Sequence, residues 1–243
     1  MITVICVHNN QKILDDVLLK SLKQQNIEYE LILIDNSDGK YKSAAEALNY
    51  GAKKAKNEII MFVHQDVDLS YPNCLRDIEG MVLDLDDLGV AGVAGYYSKD
   101  HKKPIMYSNI KDGCPPKDVG VNVDHPIEVQ TVDECLFIVP RSLFNKLEFD
   151  EKTCPDWHLY GADYCLDSRK LGKSVYIIPI EIYHVSRSES FSESYYTTLK
   201  NVVEKHRDDY KTINTSCGIW RTGRVGLGLN IIEDRFLRFM NLR

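Results

Sequence analysis

The chain has 243 residues and 44% apolar side chains, enough to bury a sizeable core and too many for a disordered chain. Its formal net charge of -6 excludes broad nucleic-acid binding, which needs a basic surface. The seven cysteines are odd in number and contain no CxxC pair, which argues against a zinc ribbon or a disulfide framework and for a reducing cytoplasm. "TVICV" (3–7) predicts a buried strand directly after the N-terminus, with no basic leader or cleavage site before it. Ile13, Leu14, Val17, Leu18 and Leu22 recur at helical spacing. "ELILID" (30–35) predicts a second strand, and Ala44, Ala45, Leu48, Ala52 and Ala55 form a helical stripe of mostly small residues suited to close packing on a sheet. "IIMFV" (59–63) is a third strand, and Leu75, Ile78, Val82 and Leu85 mark the next helix. "VAGVAG" (90–95) is a fourth strand. Strand and helix alternate through this half, so a parallel sheet covered on both faces is expected.

Residues 98–128 break the rhythm with Pro, Gly and charge, and predict a long functional loop. "VDECLFIVP" (132–140) returns to strand, "ADYCLDSRKLG" (162–172) predicts a helix stopped by Gly172, and "SVYIIP" (174–179) is another strand. Residues 192–208 predict a polar, solvated helix, and the tail from 219 is basic and partly amphipathic. No apolar run approaches the roughly 20 residues of a membrane-spanning helix.

The first three apolar runs each stop on hydrogen-bonding side chains. The first is followed by Asn9 and Asn10 after His8, the second ends on Asp35, Asn36 and Ser37, and the third is followed by His64, Gln65 and Asp66. Right-handed crossovers put these ends on one edge of a parallel sheet, where open α/β folds bind ligands. The stretch lacks a GxGxxG turn and a GxxxxGK[ST] loop, so a diphosphate held here needs a cation. A carboxylate-bound Mn²⁺ or Mg²⁺ is the simplest choice, because it bridges phosphate and carboxylate oxygens.

The segments "TVICVHNN", "LILIDNSD", "SAAEALNYGAKKAKNEIIMFVHQDVDL", "VDECLFIVPRSLF" and "GADYCLDSRKLGKSVYIIPIEIYHVS" occur in an order and spacing that resemble the family 2 glycosyltransferases of the GT-A fold. The resemblance runs from residue 2 to about residue 186. It implies a Rossmann-type, mostly parallel sheet with helices on both faces. Residues 1–97 form a nucleotide-binding half, 98–190 an acceptor and sugar half, and 191–243 a helical extension. It implies transfer of a sugar from a nucleotide diphosphate, most simply UDP, to an acceptor hydroxyl with inversion. Capsule, surface-polysaccharide and glycolipid acceptors, saccharide or lipid-linked, are typical.

On this reading His8, Asn9, Asp35, Ser37, His64 and Gln65 face the nucleotide or donor, and Asp133 and Glu134 hold sugar hydroxyls. The family's first motif aspartate falls on His64 and its second on Asp66, with Asp68 one step beyond. The metal set is Asp66, Asp68 and His184. A Glu-Asp pair of the family reads Ala162-Asp163 here, which makes Asp163 the implied base. Trp157, His158 and Tyr160 flank it as acceptor-stacking residues. His101, His125 and His206 are assigned no role. A catalytically inactive nucleotide-sugar-binding module is the alternative, because His64 and Ala162 depart from the acidic pattern; a nucleotidyltransferase would need a Gly-rich basic loop that "VHNN" lacks. From 219 onward five arginines (Arg221, Arg224, Arg235, Arg238 and Arg243) stand against Glu233 and Asp234, with Ile231, Ile232, Phe236, Phe239 and Met240 between them. Such a tail suits peripheral contact with the inner membrane face, docking on the domain, or a homodimer contact.

Overall fold

The structure, a computed structural model, describes residues 1–97, 104–185 and 192–240. The chain opens with β1 (Ile2–His8), α1 (Gln11–Asp16), α2 (Leu18–Leu22), β2 (Tyr29–Asp35), α3 (Ala44–Ala52), β3 (Ile59–Val63), β4 (Val67–Asp68), α4 (Cys74–Leu83) and β5 (Leu88–Gly92). It continues through β6 (Ala94–Tyr97), β7 (Ile105–Ser108), β8 (Ile110–Asp112), β9 (Lys117–Asp118), β10 (Ile127–Glu128), β11 (Leu136–Pro140) and α5 (Arg141–Phe144). The last part holds α6 (Tyr160–Lys170), β12 (Ser174–Ile177), β13 (Ile182–His184), α7 (Glu193–His206), β14 (Thr212–Thr215), β15 (Gly218–Arg221) and α8 (Arg224–Phe239).

A seven-stranded sheet runs in the order β10-β12-β5-β11-β3-β1-β2. β1 pairs in parallel with β2 and β3, and β12 with β5, while β11 lies antiparallel between β3 and β5. Strand alternation sorts side chains into two cores. Ile5, Phe62 and Phe137 point to the face covered by α3, α6 and α7, and Val4, Met61, Leu136 and Ile138 to the face covered by α1, α2 and α4. A second sheet, β4-β13-β8-β9, stands beside this frame. Within it β13 runs antiparallel to β4, with His184 opposite Val67.

Several expected elements are subdivided. The first helix breaks at Val17, whose φ of -116° and ψ of -81° leave the helical region and separate α1 from α2. The expected strand over 90–95 becomes β5 and β6, separated at Val93. Gly92 is required in β5, because a Cβ there would lie 2.6 Å from Val132 Cβ. The stretch 104–128 of the expected loop forms short strands, and 98–103 lies outside the described residues.

The largest correction concerns α7. Tyr195, Tyr196, Leu199, Val202 and Val203 are buried and His206 is fully buried, so this helix is packed into the domain and not solvated. The tyrosines and Thr198 turn inward, while Glu193, Lys200 and Glu204 stay on the exposed face. Residues 192–240 hold a hairpin, β14–β15, as well as two helices. Trp220, 1% exposed, joins Tyr195, Leu199 and Ile231 in the same core cluster as the sheet residues Phe62 and Phe137.

Candidate active site

The parallel register sets His8 opposite Asp35 and runs β3 alongside β1, so these strand ends meet at one edge of the sheet. Because β11 is antiparallel to β3, the residues that precede it arrive at that same edge. Leu136 pairs with Val63, and the His64 N–H donates to Cys135 O at 2.9 Å. A crevice of about 430 Å³ opens here, lined by His8, Asn9, Asn36, His64, Gln65, Asp66, Glu134, Trp157 and Tyr160 above the apolar floor of Val7, Leu48 and Phe62. That volume is in the range of small-ligand sites.

At one end of the crevice His64, Asp66 and His184 each offer a ligand atom, all within 4.8 Å of one another. Asp66 is 8% exposed and His184 is 6% exposed. His184 Nε2 lies 3.5 Å from Asp66 Oδ2, and its Nδ1 is 2.8 Å from Asp112 Oδ1. Burial opposes a charge on His184, but hydrogen bonding and charge from Asp66, with help from Asp112 and Asp133, raise it to about 9. Burial lowers His64 and holds it neutral. Two imidazoles and a carboxylate form a donor set suited to Mn²⁺, and Asp112 orients His184 from behind as carboxylates commonly do for metal-binding histidines. The residues present therefore fit a divalent cation.

Asp68 is not brought to this group. It sits on β4 opposite Tyr183, half-buried, and its Oδ1 accepts the Ser70 N–H at 2.8 Å. Its carboxylate is used by the turn that follows β4.

The other expected contacts divide similarly. Gln65 lines the crevice but its Oε1 accepts the N–H groups of Asn9 and Asn10, and its Nε2 donates to Asn9 Oδ1, so it ties two strand ends together. Asp35 and Ser37 are exposed beyond the lining residues, with the Ser37 N–H donating to Asp35 Oδ1 at 2.8 Å; that bond lowers the Asp35 carboxyl. Their neighbour Asn36 lines the crevice instead. It clamps the following loop by accepting the Tyr41 N–H and donating to Tyr41 O. His8 is 6% exposed, and its Nδ1 has no hydrogen-bond partner among the described residues. Trp157 and Tyr160 line the crevice, and Tyr160 Oη is 3.2 Å from His64 Nε2. His158 faces elsewhere, edge-on to Tyr195.

The two candidate acidic groups near α6 occupy opposite settings. Asp163 is 2% exposed, with Oδ1 bonded to His206 Nε2 at 2.7 Å and Oδ2 to Lys205 Nζ at 2.7 Å. Lys205 also reaches Asp150 and Asp167. Asp163 thus ties α6 to α7, and the structure does not bring it to the crevice. Glu134 does line the crevice. Its carboxylate accepts the N–H groups of Gly161 (2.8 Å) and Leu159 (3.3 Å) at the start of α6. Burial raises it to about 8, with Asp133 adding repulsion and the backbone N–H groups opposing. Asp133 itself is folded back, accepting the Cys135 N–H, which keeps it below the usual carboxylate range against the effect of burial.

Sequence reasoning missed Asp112 and Asn36 as site residues. Asp112 sits in a charged loop without a motif, and only strand pairing of β8 with β13 brings it to His184. Asn36 belongs to the same polar strand end as Asp35 and Ser37, and only the structure shows that it is the one lining the crevice.

A curated relative, "ATP synthase subunits region ORF 6" of Fuscovulum blasticum, is 27% identical over 213 residues, spanning 85% of this chain and 81% of the relative. Among solved structures, GalNAc-T7 with UDP, GalNAc and Mn²⁺ superposes with a TM-score of 0.62 at 14% identity, covering 87% of this chain and 49% of that one. S. aureus TarS superposes at 0.57 with 15% identity, covering 84% of this chain and 39% of TarS. A TarS fragment in complex with UDP-GlcNAc also scores 0.57, at 16% identity, covering 84% of this chain and 66% of the fragment. The chain therefore spans less than two thirds of each of these solved chains, and the likenesses establish the GT-A-like α/β fold. Residues 2–206 match the profile of the "Glycosyltransferase like family", and the chain belongs to that family.

Proposed function

We propose that the chain transfers a sugar from a nucleoside diphosphate, most simply UDP, to an acceptor hydroxyl with inversion, assisted by a divalent cation. The observation that carries this reading is the convergence of His64, Asp66 and His184 within 4.8 Å at a crevice built from strand ends. The solved neighbours with UDP, GalNAc and Mn²⁺, and with UDP-GlcNAc, support the donor class. His8 and Asn9 line the same crevice and bring polar side chains to the donor's side of it.

His64, Asp66 and His184 would hold the cation, which would supply positive charge to the departing diphosphate. Trp157 and Tyr160 offer aromatic surfaces for a sugar ring. The acceptor oxygen forms the new bond to the anomeric carbon, the bond from that carbon to phosphate breaks, and the nucleoside diphosphate leaves with the bonding pair. The acceptor proton passes to Glu134, the carboxyl that lines the crevice, rather than to Asp163, whose two oxygens are spent on Lys205 and His206.

The test is release of UDP from a panel of UDP-sugars with Mn²⁺, with saccharide acceptors present and absent, and the anomeric configuration of any product read by NMR. Turnover that requires the cation and yields inverted product is expected. Binding of UDP-sugars without any transfer or hydrolysis would instead identify a nucleotide-sugar-binding module.

A further inference from the structure

A second groove, of about 890 Å³ against the crevice's 430 Å³, opens beside the edge strand β10. Four segments far apart in the chain build it: β6 with β7, the run 122–130, Arg169 of α6 and the stretch 210–214. Gln130 ties two of them, its Nε2 donating to Thr212 O at 3.0 Å and its Oε1 accepting the Asn214 N–H at 2.7 Å. The proposed reaction uses none of these residues. A single run nevertheless joins the groove to the crevice. Gln130 lines the one and Glu134 the other, and four residues of chain span at most about 14 Å. β6 follows the same run, with Ala94 O accepting the Asp133 N–H at 2.9 Å and Gly95 bridged to Val132. The next residue of β6, Tyr96, is in the groove.

The chemistry of the lining selects the occupant. Tyr96, Tyr107 and Tyr210 are half-buried and bring aromatic surface. Asn122 brings an exposed amide, and Asn214, 6% exposed, has an Oδ1 with no hydrogen-bond partner among the described residues. The charges of the described lining are already matched. Arg169 Nη1 is 3.0 Å from Glu128 Oε1 and also donates to Val129 O, and His125 Nδ1 is 2.6 Å from Asp124 Oδ1. An anion such as a phosphate therefore meets no uncommitted cation among the described lining residues. An acyl chain would strip water from the amides and ion pairs without replacing it. A peptide strand has no template, because β10 is two residues long and Pro126 before it lacks an N–H. Val129 after it donates its N–H to Val175 O and is met at its own O by Arg169. Aromatic faces beside neutral hydrogen-bonding groups suit a ligand with apolar ring faces and many hydroxyls. We propose that this groove binds a neutral oligosaccharide and holds the acceptor's sugar units that lie beyond the reacting hydroxyl. The acceptor role rests on the proposed sugar transfer; the binding of the oligosaccharide does not.

The experiment is titration calorimetry and saturation-transfer NMR of the full chain, without nucleotide, against glucose, galactose, mannose and N-acetylglucosamine and their neutral oligomers of about two to six units. Tyr96→Ala, Asn122→Ala and Glu134→Gln are compared with the unaltered chain, and thermal melts confirm the fold of each. Asn122 is exposed, so its variant tests the groove independently of any effect of Tyr96→Ala on folding. Expected is binding of at least one series that tightens by about tenfold or more from one unit to four, weakens by about tenfold in Tyr96→Ala and about threefold in Asn122→Ala, and persists in Glu134→Gln. The KM of that series as acceptor should fall with length in the same way, and the length dependence should be lost in Tyr96→Ala. Three results would overturn the proposal: no binding in any series, oligomers bound no more tightly than single sugars, or oligomer affinity unchanged in the folded groove variants. Oligomer binding without transfer to any acceptor keeps the groove and counts only against the sugar-transfer reading. Transfer with neither oligomer binding nor length dependence counts only against the groove.

Discussion

Two carboxyl groups near the start of α6 differ in what surrounds them, and the proposed base is the one that lines the crevice. Glu134 faces the crevice, and burial raises it to about 8, so it is largely protonated at neutral pH and able to accept a proton only as pH rises. Glu134→Gln should therefore lower turnover by about 10²–10⁴-fold while leaving UDP binding nearly intact. The pH–rate profile of the unaltered chain should climb to about 8, and that limb should vanish in the variant. The sign for stability runs the other way. The unfolded carboxyl ionises near 4.5 and the folded one near 8, so this group contributes stability below 4.5 that is lost as pH rises through 8. The variant's melting temperature should accordingly depend less on pH in that window. Asp163 is the contrasting case. Asp163→Asn breaks a buried junction with Lys205 and His206, and should cost about 2 kcal/mol, roughly a 4–8 °C fall in Tm, with the remaining folded enzyme active. A variant that melts normally but has lost turnover would return the base to Asp163. Sequence spacing did not separate the two groups, because Asp163 lies on α6 and its partners come from α7, 42 and 43 residues later.

At the scale of elements, the site depends on how α6 begins. Leu159 precedes the helix in the left-handed region, with φ of +60°, a strained conformation for a branched side chain. That turn directs the N–H groups of Leu159 and Gly161 at Glu134. Gly161 is needed for a different reason. A Cβ there would lie 2.9 Å from Glu134 Cγ, inside ordinary contact distance. Gly161→Ala should displace the Glu134 carboxyl and lower turnover by about tenfold or more, with a smaller change in melting, since Ala favours a helix over Gly. Unchanged kinetics in this variant would detach Glu134 from the chemistry. The strands β1, β2 and β3 were legible because each is an unbroken apolar, β-branched run, and strand geometry then sets their ends together. The antiparallel insertion of β11 was not legible, since an apolar strand reads alike in either direction. It is that reversal which delivers Glu134 to the crevice. The short strands after residue 103 were hidden for another reason: two- and three-residue pairings carry no periodic signal.

Across the whole molecule, the sheet acts as a rigid frame whose polar edge collects chemistry from distant parts of the chain. His8 comes from β1, His64 and Asp66 follow β3, Glu134 precedes β11, and His184 ends β13. Residues 192–240 close the core from behind through Trp220, Tyr195 and Leu199. The family and the α/β architecture were readable from motif order alone, whereas the partner of each polar group depended on pairings between strands and helices far apart in the chain. No helix among the described residues is long and apolar enough to cross a membrane. The proposed cation site of His64, Asp66 and His184 should couple the chain to a nucleoside diphosphate. Titration calorimetry of UDP, with and without Mn²⁺, tests it directly on the unaltered chain, Asp66→Ala and Asp68→Ala. Mn²⁺ should tighten UDP binding by about tenfold or more, Asp66→Ala should abolish this gain, and Asp68→Ala should keep it. Equal UDP affinity with and without Mn²⁺, or a gain lost in Asp68→Ala and retained in Asp66→Ala, would contradict it.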